Sequence, residues 1–105
     1  MAERSGAVNF SYLEEFTAGD ACLMREVLKV FCGEAAEWAN RLDAEPDDWR
    51  GVVHTMKGTS RSIGADGLGD LCQQAETVGA QALPGVRAAL DDVIAEVRRY
   101  LDAAA

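Results

Sequence analysis

The chain has 105 residues and a formal charge of -8, from 18 acidic and 10 basic side chains. This length suits one ordinary domain and leaves no room for a second domain with a nucleotide pocket. Because phosphate binding needs a basic surface, we expect no nucleic-acid partner, and anionic membranes are also disfavoured. No run approaches the ~20 apolar residues of a membrane span, and the first six residues lack the apolar stretch of a signal peptide, so we expect a cytoplasmic protein.

The cysteines give no sign of a disulfide framework or a zinc site. Cys22, Cys32 and Cys72 are odd in number, widely spaced and free of any CxxC pair. We therefore expect reduced thiols, with Cys72 a small buried side chain in a helical pattern. Redox sensing has no support in the sequence.

The first predicted element is a short helix. We expect residues 1–8 to be frayed and order to begin near Asn9. Ser11 and Glu14 match a capping box, and the helix should end near Gly19. Its expected apolar side consists of Tyr12, Leu13 and Phe16.

The second predicted helix carries the strongest periodic signal. Asp20 can cap it, and Gly33 within it predicts a close contact or a slight bend. The segment Asp43-Ala-Glu-Pro46 should end it. Its apolar positions keep a three-and-four spacing over about six turns: Leu23, Met24, Val27, Leu28, Phe31, Ala35, Trp38 and Leu42.

The third predicted helix presents the chain's only histidine away from the core. Pro46 suits a first helical position, with Asp47 and Asp48 in the first turn, and the helix should stop near Gly64. At about 100° per residue, His54 falls outside the apolar stripe. That stripe consists of Trp49, Val52, Val53, Met56, Ser60 and Ile63.

Two further helices complete the pattern. Asp66 can cap the fourth, which should end at Gly79, and Pro84 should open the fifth, followed by a frayed tail from Asp102 to Ala105. The apolar positions of the fourth are Leu68, Leu71, Cys72, Ala75 and Val78. Those of the fifth are Val86, Leu90, Val93, Ile94, Val97 and Leu101.

These elements predict an all-α fold. No segment alternates as a strand does, and there is no internal repeat or long linker. Four long amphipathic helices joined by short turns form most simply an antiparallel up-down-up-down four-helix bundle, with the short N-terminal helix covering one end. We expect residues 1–105 to be a single domain.

The surroundings of His54 favour chemistry on an anionic group. A neutral imidazole nitrogen is a nucleophile, and an exposed helical position lets it meet an electrophile on another protein. Gly51 and Gly58 leave open backbone beside the ring, although mid-helix glycines cost about 0.5 to 1 kcal/mol each. Lys57 and Arg61 extend a positive strip that would stabilise a phosphoryl group during transfer.

These residues carry a family resemblance. The motif His-x-Met-Lys-Gly-x-x-x-x-Ile-Gly, from His54 to Gly64, is followed by Leu68-x-x-Leu71 and Glu76, and it resembles a histidine phosphotransfer (HPt) domain. The similarity covers nearly the whole chain. It implies a four-helix bundle that relays phosphate between aspartates of receiver domains, or takes it from the receiver of a hybrid histidine kinase.

The resemblance also implies roles for individual residues. His54 would be the phosphorylated residue, Lys57 the phosphate-stabilising cation and Gly58 the position that opens access. Glu76 stands where the family often has a glutamine or glutamate that bonds the ring nitrogen not attacked. Glu76 favours imidazolium and Lys57 opposes it, so the protonation state of the ring stays open. Arg61 departs from the usual small or polar residue and would contact an anion or a partner.

Three functions are compatible with the sequence. The first is a monomeric phosphocarrier that holds no metal or cofactor of its own, the magnesium being supplied by the receiver. The second is a non-phosphorylated helical adaptor that binds receivers or kinases. The third is the phosphoacceptor fragment of a chemotaxis-type kinase. Because the chain lacks a glycine-rich nucleotide loop, we expect no ATP site and no kinase activity, and whether the chain counts as an enzyme stays open.

Overall fold

The computed structural model describes residues 7–44 and 47–104, which form five α-helices, one short 3-10 turn and no strand. The helices are α1 (Phe10–Phe16), α2 (Ala21–Asp43), α3 (Trp49–Ser62), α4 (Asp66–Val78) and α5 (Leu83–Ala104). Helix α2 packs on α3 and α5, and α4 also packs on both, so the four long helices close into a bundle. Short connections between successive helices give the antiparallel arrangement that the sequence predicts.

The capping box predicted for α1 is wrong. Asn9 is the N-cap residue, and its Oδ1 accepts the backbone N–H of Tyr12 at 3.2 Å, whereas Ser11 lies inside the helix. Asparagine is as favourable an N-cap residue as serine. The backbone N–H of Asn9 itself donates to the Gly64 carbonyl at 2.9 Å. Of the expected apolar side, Leu13 is buried, but Tyr12 is exposed and Phe16 is 66% exposed.

Ala7 and Val8, which were predicted to be frayed, are held in place by hydrogen bonds. The N–H groups of Ala7 and Val8 donate to Glu96 Oε2 and Oε1, each at 3.0 Å, and Val8 is 5% exposed within the core. The segment from Ala7 to Asn9 therefore joins α5 to the turn after α3. The rest of the predicted frayed N-terminus, residues 1–6, lies outside the described residues.

Helix α2 begins as predicted and departs from the prediction at two positions. Asp20 Oδ1 accepts the N–H of Leu23 at 3.0 Å, which confirms the cap, although the Leu23 side chain itself is exposed. Gly33 is exposed, and a Cβ there would meet nothing within 4 Å, so of the close contact or slight bend predicted there, the close contact is wrong. Helix α2 ends at Asp43; the prediction for Pro46 falls outside the described residues.

A glycine lies just after the C-terminal end of each of the helices α3 and α4. Gly64 and Gly79 have φ of +87° and +108°, and they follow the ends of the two helices. Asp66 is the first residue of α4 and not its cap, because Ala65 occupies the N-cap position. There the Asp66 carboxylate still lies at the end of the helix dipole that favours negative charge.

Helix α5 is longer than predicted at both ends. It begins at Leu83, directly after the 3-10 turn Ala80–Ala82, and it continues to Ala104. Most of the expected frayed tail is therefore helical, and Ala105 lies outside the described residues. Within residues 7–44 and 47–104, none of the helices has the length and apolar character needed to cross a membrane.

The core contains most of the predicted apolar stripes of the long helices, but Val78 of α4 is exposed, contrary to the prediction. Cys72 is fully buried, and all three cysteines are free thiols, as predicted. Burial raises the pKa of the Cys72 thiol to about 11, which keeps it protonated near neutral pH. The α3 stripe is confirmed: Val52, Val53, Met56, Ser60 and Ile63 are buried and Trp49 is partly buried.

Candidate functional site

His54 stands on the outer face of α3, at the seam with α4. Its side chain is 71% exposed, whereas Val53 and Met56, which flank it in sequence, are fully buried. The same α3 stripe that anchors the helix in the core thus directs the imidazole outward. Because α3 and α4 pack together along this seam, side chains of α4 reach the ring.

Glu76 of α4 joins the histidine to the lysine. Its Oε2 lies 3.0 Å from His54 Nδ1, and its Oε1 accepts from Lys57 Nζ at 2.6 Å. The Lys57 ammonium, and then the bond to His54, hold the pKa of the Glu76 carboxyl below its usual range. An ionised carboxylate can only accept, so Nδ1 carries the hydrogen, and in the neutral form of the ring Nε2 is then the nitrogen with the lone pair.

Lys57 lies between two acceptors of α4. Its Nζ also donates to Gln73 Oε1 at 3.0 Å, and its side chain is only 18% exposed. The ammonium therefore acts on the ring through the Glu76 carboxylate that it binds. Sequence reasoning missed Gln73, although its position three residues before Glu76 places both side chains on the same side of α4.

Gly51 and Gly58 leave open space on α3. Both are exposed, and a Cβ at either position would meet nothing within 4 Å. Packing inside the molecule therefore does not require glycine at either position, although each costs about 0.5 to 1 kcal/mol of helix stability.

Arg61 is held along α4. Its Nη2 donates to Asp70 Oδ1 at 3.2 Å, and its side chain passes so close to Gly69 that a Cβ there would lie 2.7 Å from Arg61 Cγ. The structure thus gives Arg61 a partner on α4 and does not bring it into the His54, Lys57 and Glu76 cluster. Both members of the pair are well exposed, so it contributes little to stability.

Arg50 is the second site neighbour that sequence reasoning missed. Its Nη1 donates to the backbone carbonyl of Glu76 at 2.8 Å, and its guanidinium lies 4.6 Å from the Trp49 ring centroid. Arg50 is one turn before His54 on the same face of α3, which is the signal that would have found it.

This arrangement equips one atom for nucleophilic attack. The His54 side chain is largely exposed, its Nδ1 is bound to a carboxylate so that Nε2 is the nitrogen left for a partner, and cations lie one turn to either side of His54. Within residues 7–44 and 47–104, no group of three or more His, Cys, Asp or Glu side chains is placed to hold a metal ion.

Comparison with known proteins decides the family. The family model of the Hpt domain matches residues 26–105, which is most of the chain and includes the whole site. The chain belongs to the histidine phosphotransfer (HPt) domain family. The resemblance carried by the His54 to Gly64 motif is thereby confirmed.

A solved HPt structure supports the same conclusion. The HPt domain described here is 44% identical to the histidine phosphotransferase ShpA from Caulobacter crescentus, with a TM-score of 0.84 and coverage of 90% of each chain. No curated protein matches the sequence significantly. Family membership and the ShpA likeness support a role for this HPt domain in a phosphorelay.

Proposed function

We propose that this HPt domain accepts a phosphoryl group from a receiver-domain aspartate on His54 and passes it to an aspartate of a second receiver. The observation that carries the proposal is the bond from His54 Nδ1 to Glu76, which leaves Nε2 as the exposed nucleophile. Family membership supports the phosphorelay, and the match to ShpA, a histidine phosphotransferase, supports the transfer chemistry.

The forward step exchanges one bond to phosphorus for another. The Nε2 lone pair attacks the phosphorus of the receiver's aspartyl phosphate, the P–N bond forms, and the P–O bond breaks. The aspartate carboxylate leaves with the electron pair. The ring then carries positive charge, which the ionised Glu76 carboxylate stabilises through the Nδ1–H.

The second step reverses these roles. A carboxylate oxygen of the next receiver attacks phosphorus, the P–N bond breaks, and the electron pair returns to Nε2. Glu76 keeps the Nδ1 hydrogen in place throughout, so the imidazole leaves in the tautomer in which it started. No proton has to be exchanged with solvent in either direction.

Lys57 and Gly58 serve the transfer in different ways. An ammonium group has three donors, and Lys57 uses two of them on Gln73 and Glu76, so one remains for a phosphoryl oxygen. Gly58, one turn after His54, leaves space for the face of a receiver domain, and Gly51 does the same on the other side. We assign no phosphate contact to Arg61, which is paired with Asp70.

The partners are receiver domains, of response regulators or of a hybrid kinase, and this chain acts on them as a monomeric phosphocarrier. The net charge of -8 does not suit nucleic acid. The sequence lacks a glycine-rich nucleotide loop, which supports a carrier that receives phosphate and does not draw it from ATP itself.

Phosphotransfer from a labelled receiver tests the proposal. Incubation of the intact protein with phosphorylated receivers of the source cell should place acid-labile, alkali-stable phosphate on the wild type and none on His54→Gln. An exposed arginine variant on α5, Arg99→Gln, should label like the wild type. Equal labelling of His54→Gln would reject His54 as the acceptor. Receiver binding without any labelling would favour the adaptor function.

A further inference from the structure

Three side chains of α3 contact a single residue of α4. Arg50, His54 and Lys57 follow one another at spacings of four and three, which places them on one face of the helix. His54 meets Glu76 Oε2 at 3.0 Å and Lys57 meets Oε1 at 2.6 Å, while Arg50 donates to the main-chain oxygen of Glu76 at 2.8 Å. The carboxylate and the backbone of Glu76 are therefore bound separately.

Arg50 contacts the main chain of α4 at its C-terminal end, where backbone carbonyls lack a hydrogen-bond donor. Helix α4 ends at Val78, so the Glu76 carbonyl is among the last four, which have no N–H partner within the helix. The neighbouring Ala75 carbonyl is satisfied by the Gly79 N–H at 2.9 Å. A guanidinium cation at this end of α4 also interacts favourably with the helix dipole.

The guanidinium of Arg50 is itself held in place. It lies 4.6 Å from the centroid of the Trp49 ring, within the range of a cation–π contact. Trp49 belongs to the α3 stripe and packs against the core. The contact thus connects the last turn of α4 to the first turn of α3.

From this arrangement we propose that Arg50 is a positioning residue for His54. It fixes the backbone of Glu76 so that the carboxylate stays on Nδ1, and it thereby selects the tautomer with a free Nε2. Glu76 has three rotatable side-chain bonds, so its carboxylate keeps its place more firmly when its main chain is also bound. The importance of this tautomer for transfer rests on the proposed function, but the tautomer itself is a property of the unphosphorylated protein.

Nitrogen NMR of the imidazole tests the proposal without any partner. In the wild type we expect the tautomer with hydrogen on Nδ1 to predominate. In Arg50→Ala and Arg50→Gln we expect a shift toward the tautomer with hydrogen on Nε2, which free imidazole side chains prefer. Arg50→Lys should restore part of the wild-type signal, and Arg99→Gln, which removes the same charge from α5, should leave it unchanged.

Loss of the Arg50 contact should also slow phosphotransfer. If the carboxylate leaves Nδ1 for part of the time, transfer should slow by about three- to tenfold, the range expected for one weakened charge-assisted hydrogen bond. The unfolding midpoint should change little, because Arg50 is exposed.

The outcomes separate this proposal from the function on which it rests. A wild-type tautomer ratio in both folded variants, Arg50→Ala and Arg50→Gln, would overturn the positioning role whatever their transfer rates. Failure of every receiver to label wild-type His54 would reject phosphotransfer and would leave the NMR result to decide the role of Arg50. A tautomer shift in the arginine variants, with Arg99→Gln unchanged, supports the proposal.

Discussion

Of the charged neighbours of His54, Lys57 acts on the ring indirectly, through Glu76. Lys57 binds Glu76, and Glu76 binds the ring, so the lysine influences the imidazole through the carboxylate. The sequence left open the protonation state of the ring, which Glu76 shifts toward imidazolium and Lys57 away from it. The bonds add that Lys57 lowers the pKa of Glu76 and that the Glu76 carboxylate binds Nδ1.

Replacing Lys57 should therefore change Glu76 as well as the transfer reaction. In Lys57→Ala we expect the Glu76 pKa to rise toward its ordinary value of 4.5, because the hydrogen bond from Lys57, the largest of the causes that lower it, is lost. Transfer should slow about tenfold, since one charge-assisted bond is worth ~1.5 kcal/mol. Carboxyl NMR titration and a transfer assay measure the two effects. An unchanged transfer rate would reject the role of Lys57.

The pH dependence of stability has a definite sign for Glu76. Its folded-state pKa lies below the unfolded value of 4.5, so its stabilising contribution is complete above that pH and is lost as the pH falls through the folded value. The difference in unfolding free energy between the wild type and Glu76→Gln should consequently disappear in acid. In Lys57→Ala, where we expect a higher folded-state pKa for Glu76, this loss of stability should begin at a higher pH.

At the scale of the helix, most of the apolar stripes were predictable, whereas two of the three predicted N-caps, Ser11 and Asp66, were wrong and only Asp20 was confirmed. Stripes depend on periodicity within one segment, and those of α2 to α5 are buried or partly buried as predicted except at Leu23 and Val78, which are exposed. Caps depend on which backbone is fixed by other parts of the molecule. Asn9 takes the place predicted for Ser11 because its own N–H is held by Gly64, and Ala65 precedes Asp66 at the start of α4.

The openness of α3 beside His54 leads to a prediction in which stability and function oppose each other. Gly58→Leu should stabilise the fold by about 0.5 to 1 kcal/mol, because glycine is the poorer helix former and nothing lies within 4 Å of the new Cβ. The same side chain should slow transfer at least tenfold by keeping the receiver away from Nε2. Chemical denaturation and a transfer assay measure the two effects.

Gly85→Leu provides the matched control for Gly58→Leu. Gly85 is also exposed and has nothing within 4 Å of its missing Cβ, but it lies on α5. Transfer in this variant should equal that of the wild type. If Gly58→Leu also transferred at the wild-type rate, Gly58 would have no role in access.

At the scale of the whole molecule, the segment before α1 forms hydrogen bonds to α5 and to the turn between α3 and α4, and so links these three helices. Ala7 and Val8 bind Glu96 of α5, and Asn9 binds the Gly64 carbonyl between α3 and α4. A Cβ at Gly64 would lie 2.6 Å from the Asn9 carbonyl oxygen, and the φ of +87° is itself unfavourable for other residues. The turn that positions α4 beside α3 therefore requires glycine.

Gly64→Ala should destabilise the domain by about 2 kcal/mol or more, because the positive φ and the close approach both add to the cost. Gly33→Ala, at a helical position with no neighbour within 4 Å, should instead stabilise it slightly. Urea unfolding of the two variants makes the comparison. Equal stability of Gly64→Ala and the wild type would contradict the close packing of this turn.

The all-helical fold, most of the buried stripes and the outward direction of His54 could be predicted from local sequence, because helical periodicity fixes angular position within one segment. The choice of which α4 atoms contact α3 is instead a property of the packed molecule. That choice depends on how far each helix slides and turns against its neighbour, which the whole core sets. For this reason the bonds of Lys57 to Gln73 and of Arg50 to the Glu76 carbonyl, and the pairing of Arg61 with Asp70, appear only in the folded molecule.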